Sequence, residues 1–217
     1  MQAVGLSCVI VGGGTVAVRK IKTLLLSGAQ LRVISPAVAG KIADWARGGE
    51  VQLELREYAG AGDLQGAKLV FAATDSDAVN SAVCRDAASL GLLANDCIKP
   101  ERGSFVVPAS IHRGPLVMTV STGGASPALA VKLRDELAER YGAEYEDYVE
   151  FLAELRARVH DHIAEPHVRR MIFHHLMKFD ILELIRSGRL DDYRAKVFAE
   201  LEREHAEERW ERVLAPD

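Results

Sequence analysis

Apolar residues run unbroken from Cys8 to Val11, stop at Gly12-Gly13-Gly14, and return as Val16, Val18, Ile21, Leu24 and Leu25 at roughly helical spacing. A short apolar run bounded by glycine predicts a buried strand, and the spaced set predicts the inward face of a helix. Gly28 supplies the stop that such a helix needs. Leu31–Ile34 predicts a second strand, broken by Ser35-Pro36, and Lys41–Arg47 a second helix, ended by Gly48-Gly49. Val51, Leu53 and Leu55 alternate with Gln52 and Glu54, which predicts a strand with one wet face. A loop over Gly60–Gly66 leads to an apolar strand over Leu69–Ala73, closed by Thr74-Asp75. A helix over Asp77–Leu90 follows, with Val79, Ala82 and Val83 inward, and a further strand begins at Leu92–Ala94.

Strands alternating with helices predict a parallel sheet with crossover helices, hence an α/β fold. Ligands of such sheets sit outside the carboxyl ends of the strands. That rule puts Gly12–Gly14, Ser35–Ala37, Thr74–Asp75 and Asn95–Lys99 on one rim. Gly12, Gly14 and Ala17 also fit G-x-G-x-x-A, the spacing of a Rossmann-like dinucleotide turn. There the glycines permit a tight turn and close approach of backbone to a pyrophosphate, and the helix start offers N–H groups and a positive dipole end. A glycine turn that binds nothing fits the same residues.

The pattern changes after Pro100. Ser104–Pro108 and Leu116–Ser121 predict two strands, separated by a turn containing His112-Arg113-Gly114. Ser126 can cap the next helix, with Pro127 at its first position, and that helix runs to about Tyr141 before Gly142. Tyr148, Phe151, Leu152, Leu155 and Val159 then form one apolar helical stripe. Pro166 opens a helix carrying Met171, Ile172, Leu176 and Phe179, Asp180 caps a short one stopped by Gly188, and Asp191 or Asp192 opens the last. The expected organisation is a Rossmann-like parallel sheet over residues 1–103, a small α+β region over 104–142 and a helical domain over 143–217.

At 217 residues the chain can bury a substantial core, and its formal charge of −4 argues against a nucleic-acid partner. No apolar run reaches the roughly 20 residues of a membrane span, so no membrane partner is expected. The opening residues lack the charged start and long apolar core of a secretory signal. Cys8, Cys84 and Cys97 form no C-x-x-C pair, which suits a reducing, cytoplasmic setting. His112, His160, His162, His167, His174, His175 and His205 show no metal-ligand spacing, and no metal site is expected.

Dinucleotide identity is normally read at the end of the second strand, where an acid holds a ribose 2′-hydroxyl. Ser35, Pro36 and Ala37 stand there, and no arginine follows at once to hold a 2′-phosphate, which favours NAD over NADP. A second candidate site is Ser121-Thr122-Gly123-Gly124-Ala125-Ser126-Pro127. Two glycines between hydroxyl residues, opening a helix, can grip a substrate carboxylate or simply form a capped helix start. Asp96 is a rim carboxylate that can serve as a general base or as a turn residue. Lys99, Arg102, His112 and Arg113 can bind carboxylate arms or stand as solvated charge.

Three segments together, VIVGGGTVAVRKIKTLLLSGAQLRVISP, LVFAATDSDAVN and GSFVVPASIHRGPLVMTVSTGGASPALAVKLRDEL, resemble the precorrin-2 dehydrogenase family. These are the stand-alone enzymes of sirohaem synthesis and the amino-terminal module of multifunctional sirohaem synthases. With no methyltransferase module following, the stand-alone form is expected. The resemblance implies NAD-dependent oxidation of precorrin-2, a tetrapyrrole, to sirohydrochlorin, with ferrous iron insertion in some members. It implies a homodimer whose dimerisation region lies around residues 104–140. It also implies NAD contacts at Thr15, Val16, Ser35, Pro36 and Ala37, beside Gly12 and Gly14, with Thr74 and Asp75 nearby. Ser121, Thr122, Gly123, Gly124 and Ser126 would grip substrate carboxylates, with His112 and Arg113 beside them. The family's aspartate usually ends an N-V-V-D segment, and here the segment is Asn95-Asp96-Cys97-Ile98. Asp96, two positions before Ile98 and on the same side of a continued strand, is therefore the expected acid–base group. The alternatives are a bifunctional dehydrogenase and ferrochelatase, or a module that binds NAD and tetrapyrrole without turnover.

Overall fold

A computed structural model describes residues 4–202, and the chain divides into two compact units, Met1–Val107 and Pro108–Asp217. His205 and the far end of the last expected helix lie outside the described residues.

The first unit is built on five parallel strands, β1 (Ser7–Val11), β2 (Gln30–Ile34), β3 (Val51–Glu54), β4 (Leu69–Ala72) and β5 (Leu93–Asp96), in the order β3-β2-β1-β4-β5. Three helices cover the sheet, α1 (Thr15–Leu26), α2 (Gly40–Arg47) and α3 (Asp77–Ser89). Residues of β1 alternate between two cores. Cys8 and Ile10 join Ala17, Ile21, Leu31 and Ile42, while Val9 and Val11 join Ile34, Val70, Val83 and Ala87. A strand buried on both faces needs apolar residues at every position, hence the unbroken run from Cys8 to Val11. Because β2 lies on one side of β1 and β4 on the other, the strand order reverses there and leaves a crevice at their carboxyl ends.

Three expectations shift. The edge strand β3 ends at Glu54, whose carboxylate meets Arg32 and Arg56, and Leu55 beyond it is 66% exposed. The buried face of α3 is Asn80, Val83, Cys84 and Ala87: of the expected Val79, Ala82 and Val83, Val83 is fully buried and Val79 packs partly buried against the same core, while Ala82 is not on the buried face. Ser104–Pro108 is not a strand. Ser104 and Phe105 are instead pinned alongside β5: the Ser104 N–H donates to Ala94 O at 2.7 Å, the Ala94 N–H to Ser104 Oγ at 2.9 Å, and Asn95 Nδ2 to Phe105 O at 2.9 Å. The Phe105 ring stands edge-on to Phe71 at 5.6 Å, which buries part of the apolar surface that made the segment read as a strand.

The second unit opens with the antiparallel hairpin β6 (Ala109–Arg113) and β7 (Leu116–Val120). Its two-residue turn is Gly114-Pro115, with Gly114 at φ +53°, so His112 and Arg113 belong to the strand and not to the turn. The helix α4 (Pro127–Arg140) starts as expected, with Pro127 at its first position and Ser126 Oγ accepting from Leu129 N–H at 3.2 Å. Among the described residues four further helices follow, α5 (Glu144–His162), α6 (Pro166–Leu176), α7 (Ile181–Arg186) and α8 (Leu190–Leu201). They share one core around Phe151, Leu155, Ile172, Leu176, Tyr193 and Val197. Met171 is 47% exposed, because the inward face of α6 runs through Ile172 and Leu176. Among the described residues, no helix is long and apolar enough to cross a membrane.

Candidate functional site

The crevice at the ends of β1, β2 and β4 is shaped by three glycines with three different jobs. Gly12 sits at φ +123°, and a Cβ there would lie 2.3 Å from the carbonyl oxygen of Ala73. Only glycine lets the end of β1 pass that close to the end of β4. A Cβ on Gly13 would lie 2.2 Å from the carbonyl oxygen of Ala37. Gly13 O accepts from Ala39 N–H at 2.8 Å, and Gly12 N–H donates to Ile34 O at 2.9 Å, so the turn is bolted to the loop after β2. Gly14 is the helix N-cap, and a Cβ there would meet nothing within 4 Å. No side chain caps α1, and Gly14 and Thr15 are exposed while Val16 is half-buried. An uncapped helix start beside an open glycine is a cradle that fits a diphosphate. The spacing identified Gly12 and Gly14; it passed over Gly13, whose signal was the third consecutive glycine.

The loop after β2 differs from expectation in one respect. Ser35 is buried and its hydroxyl donates to Ala37 O at 2.7 Å, so that side chain is spent on its own turn. Pro36 and Ala37 are the exposed residues there.

On the other side of the crevice, Thr74 is held by a side chain that the apolar pattern concealed. Asn80, buried in α3, accepts from Thr74 N–H at 3.1 Å and from its hydroxyl at 2.7 Å, and returns Nδ2–H to Thr74 O at 3.0 Å. Asp75 beside it is exposed. Lys99 and Arg102 are drawn to Asp77 at the start of α3, Lys99 Nζ at 3.0 Å and Arg102 with both its carboxylate and its carbonyl. The Arg102 hydrogen bond, then that of Lys99, holds the Asp77 carboxyl below the usual carboxylate range.

Asp96 ends β5 in register with Ala72 of β4. It is 1% exposed, where the sequence had it on the rim as a general base. Its Oδ1 accepts from Ile98 N–H and Lys99 N–H, each at 2.9 Å, and so shapes the turn that follows. Its Oδ2 is buried without a hydrogen-bond partner and lies 3.7 Å from Arg102 Nη1. Ile98, in contrast, is 55% exposed.

In the second unit the expected carboxylate grips separate. Arg113 is withdrawn from any ligand: its Nε donates to Tyr141 O and Gly142 O, both at 3.0 Å, its Nη2 to Ala138 O at 3.1 Å, and its Nη1 to His112 O at 3.1 Å. A guanidinium at the last carbonyls of α4 satisfies orphan acceptors and meets the negative end of the helix dipole. His112 is exposed. In the loop before α4, Thr122 Oγ1 donates to Ser126 O and accepts from Ser126 N–H, both at 3.1 Å, while Ser121 Oγ accepts from Gly123 N–H at 3.3 Å. Gly123 at φ +61° and Gly124 at φ +88° have open space over their Cα atoms.

The family model for a putative NAD(P)-binding domain matches residues 1–109, and that for the central part of sirohaem biosynthesis proteins matches residues 113–140. The chain is 35% identical to a precorrin-2 dehydrogenase of Priestia megaterium over 156 residues, 72% of this chain and 76% of that protein. The chain belongs to the precorrin-2 dehydrogenase family. It is also 38% identical to the siroheme synthase of Methylococcus capsulatus, over 86% of this chain and 39% of that protein. For the siroheme synthase of Nitrosococcus oceani the identity is 33%, over 91% of this chain and 42% of that protein. The chain thus spans about two fifths of the length of these synthases. Among solved structures, SirC, a precorrin-2 dehydrogenase, matches with a TM-score of 0.69 and 27% identity, covering 99% of this chain and 96% of that one. Membership of this family and the cradle over Gly14 agree on a nicotinamide cofactor in the first unit.

Proposed function

We propose that the chain is a precorrin-2 dehydrogenase that oxidises this tetrapyrrole to sirohydrochlorin with NAD, working as a homodimer in the cytoplasm. The observation that carries the reading is the open space over Gly14 at the uncapped start of α1, in a chain of this family. Gly12, Gly14, Thr15 and Val16 would hold the diphosphate, Pro36 and Ala37 with the main chain of Ser35 the adenosine ribose, and Thr74 and Asp75 the far wall. When bound, the nicotinamide supplies the hydride acceptor. The protein's own part is to orient cofactor and macrocycle, with Asn80 fixing Thr74.

NAD is favoured over NADP by what β2 does with its one arginine. Arg32 Nη1 lies 3.2 Å from Glu54 Oε1 and its Nη2 donates to Asp63 O at 2.6 Å, so this guanidinium is already engaged. Ser35–Gly40 contains no cation to meet a 2′-phosphate. Ser121, Thr122, Gly123, Gly124, Ser126 and His112 would hold the tetrapyrrole's carboxylates, and Arg113, committed to the end of α4, would not. Asp96 supports the turn carrying Ile98, and the proton released with the hydride is not routed through it. Ile98 presents hydrocarbon where the family usually carries an aspartate, so no side chain at that position would take pyrrole protons for metal insertion. The homodimer is supported by the two-stranded sheet, which among the described residues has no further strand on either edge, and by exposed Val117, Leu129, Val131 and Leu133 around it.

The test is to mix protein, NAD and precorrin-2 and follow NADH absorbance. NADH formation supports the reading. Its absence, under conditions where a known precorrin-2 dehydrogenase turns over, removes it.

A further inference from the structure

The second unit contains a cavity that the proposed chemistry does not use. It measures about 400 Å³ and is lined by Arg156, Val159, His160, Arg169, Arg170 and Phe173. Arg156, Val159 and His160 stand three and four residues apart on α5, and Arg169, Arg170 and Phe173 do the same on α6. Each helix therefore turns one face to the space. That volume is at the lower end of the range for small-ligand cavities.

Among the described residues the lining is cationic and includes no carboxylate. Across the described residues, Arg32, Arg56, Arg102, Arg158, Arg186 and Arg194 each lie against a carboxylate. Arg156 and Arg170 have no carboxylate partner among the described residues, and no acid stands three or four positions from either. The one acid at helical spacing from the cluster is Glu165, which lies 3.6 Å from His167. Arg169 is held in place: Nε donates to Ile163 O at 2.6 Å, Nη2 to His160 O at 3.4 Å, and Nη1 lies 3.1 Å from His160 Nε2. Two exposed guanidiniums flank this fixed one, in a chain whose net charge is −4. Behind them Val159 is fully buried in the helical core, so the half-buried Phe173 ring is the apolar surface open to the space.

We propose that this cavity is an anion site for a molecule carrying two or more carboxylates on an apolar body. Guanidinium forks match carboxylates in bidentate pairs, and the two exposed ones, Arg156 on α5 and Arg170 on α6, suit separated charges better than one compact anion, with the fixed Arg169 adding only its charge. The body would rest on Phe173. The inference stands on the cavity and not on the oxidation chemistry. The chemistry has two sources, a free polycarboxylate or the carboxylate arms of a tetrapyrrole macrocycle.

The experiment titrates the full chain by calorimetry with benzene-1,3,5-tricarboxylate, with uroporphyrin and with inorganic phosphate. The variants are the double substitution Arg156→Glu with Arg170→Glu, and the milder Arg156→Gln with Arg170→Gln. Both positions are exposed, so the melting temperature should hold. Expected is binding of at least one carboxylate probe that weakens about tenfold or more in the Glu variant and less in the Gln variant. Saturation by the tricarboxylate identifies a free polycarboxylate, and saturation by uroporphyrin alone identifies the macrocycle. The proposal is overturned if neither carboxylate probe binds, if binding survives both double substitutions, or if phosphate binds as tightly as the carboxylates.

Discussion

Replacing one methyl-free position in the glycine turn should separate nucleotide binding from folding. Gly14 is an N-cap at φ −84°, ordinary territory for alanine, and a Cβ there meets nothing within 4 Å. Alanine is a poorer N-cap than glycine by about 0.5–1 kcal/mol. It also restricts the unfolded chain, which returns about 0.4–1 kcal/mol. The two nearly cancel, so Gly14→Ala should change stability by less than about 0.5 kcal/mol. The added methyl, however, fills the space a diphosphate would use to reach the first N–H groups of α1. Losing one or two hydrogen bonds to a charged group costs about 1.5–3 kcal/mol each, or roughly 10-fold or more in Kd.

Gly12→Ala is the control with the opposite signature. At φ +123° alanine is strained by about 1–3 kcal/mol, and its Cβ would sit 2.3 Å from Ala73 O, forcing β1 and β4 apart. A total near 4 kcal/mol is a large share of a domain's stability and should lower the melting temperature by about 15 °C or more. Calorimetric titration with NAD and thermal melting by circular dichroism read the two effects separately. If Gly14→Ala binds NAD like the parent at unchanged melting temperature, the diphosphate does not lie on the turn, and the assignment of Gly12, Gly14, Thr15 and Val16 fails.

Other outcomes follow from the same geometry. Arg113→Ala should destabilise by about 2 kcal/mol, because three acceptors at the end of α4 lose a charged donor, while NAD affinity stays unchanged; a melting temperature equal to the parent would refute the capping role. Asp96→Asn keeps an oxygen for the Ile98 and Lys99 N–H groups, so NADH formation should stay within about threefold of the parent, and a loss of about 100-fold would restore Asp96 as the acid–base group. Arg56 hydrogen-bonds Asp63 and holds its carboxyl below the usual range, while Glu54, against the upward push of its own desolvation, is held low first by Arg32 and then by Arg56. A depressed carboxylate pKa stabilises the fold above the ordinary carboxylate range, and that stabilisation drains away as pH falls below about 4. Arg56→Met should therefore lower stability near pH 7 and flatten the acid limb of a urea-melt series, and parallel curves for parent and variant would refute the linkage.

What could be read along the chain was whatever depends on neighbours close in sequence. The alternation of strands and helices was legible because β1 and β4 are buried on both faces and so cannot hide their runs among polar residues. Ser104–Pro108 misled because Phe105, Val106 and Val107 look locally like a strand, whereas their company is the edge of β5. Polar side chains were harder still. Asn80 broke the apolar stripe expected of α3, yet it is buried because Thr74 offers it both a donor and acceptors. Arg113 beside a turn looked like a ligand's partner, and its true partners are carbonyls at the end of a helix that starts after it. Periodicity carries no record of such pairings, since the acceptors belong to backbone that every residue has. Glycine is the exception, because a missing side chain can mark a neighbour that leaves no room for one. In Gly12-Gly13-Gly14 the carbonyls of Ala73 and Ala37 account for two of the three. Among the described residues nothing meets a Cβ at the third, and the diphosphate we propose there would supply the missing reason for a glycine.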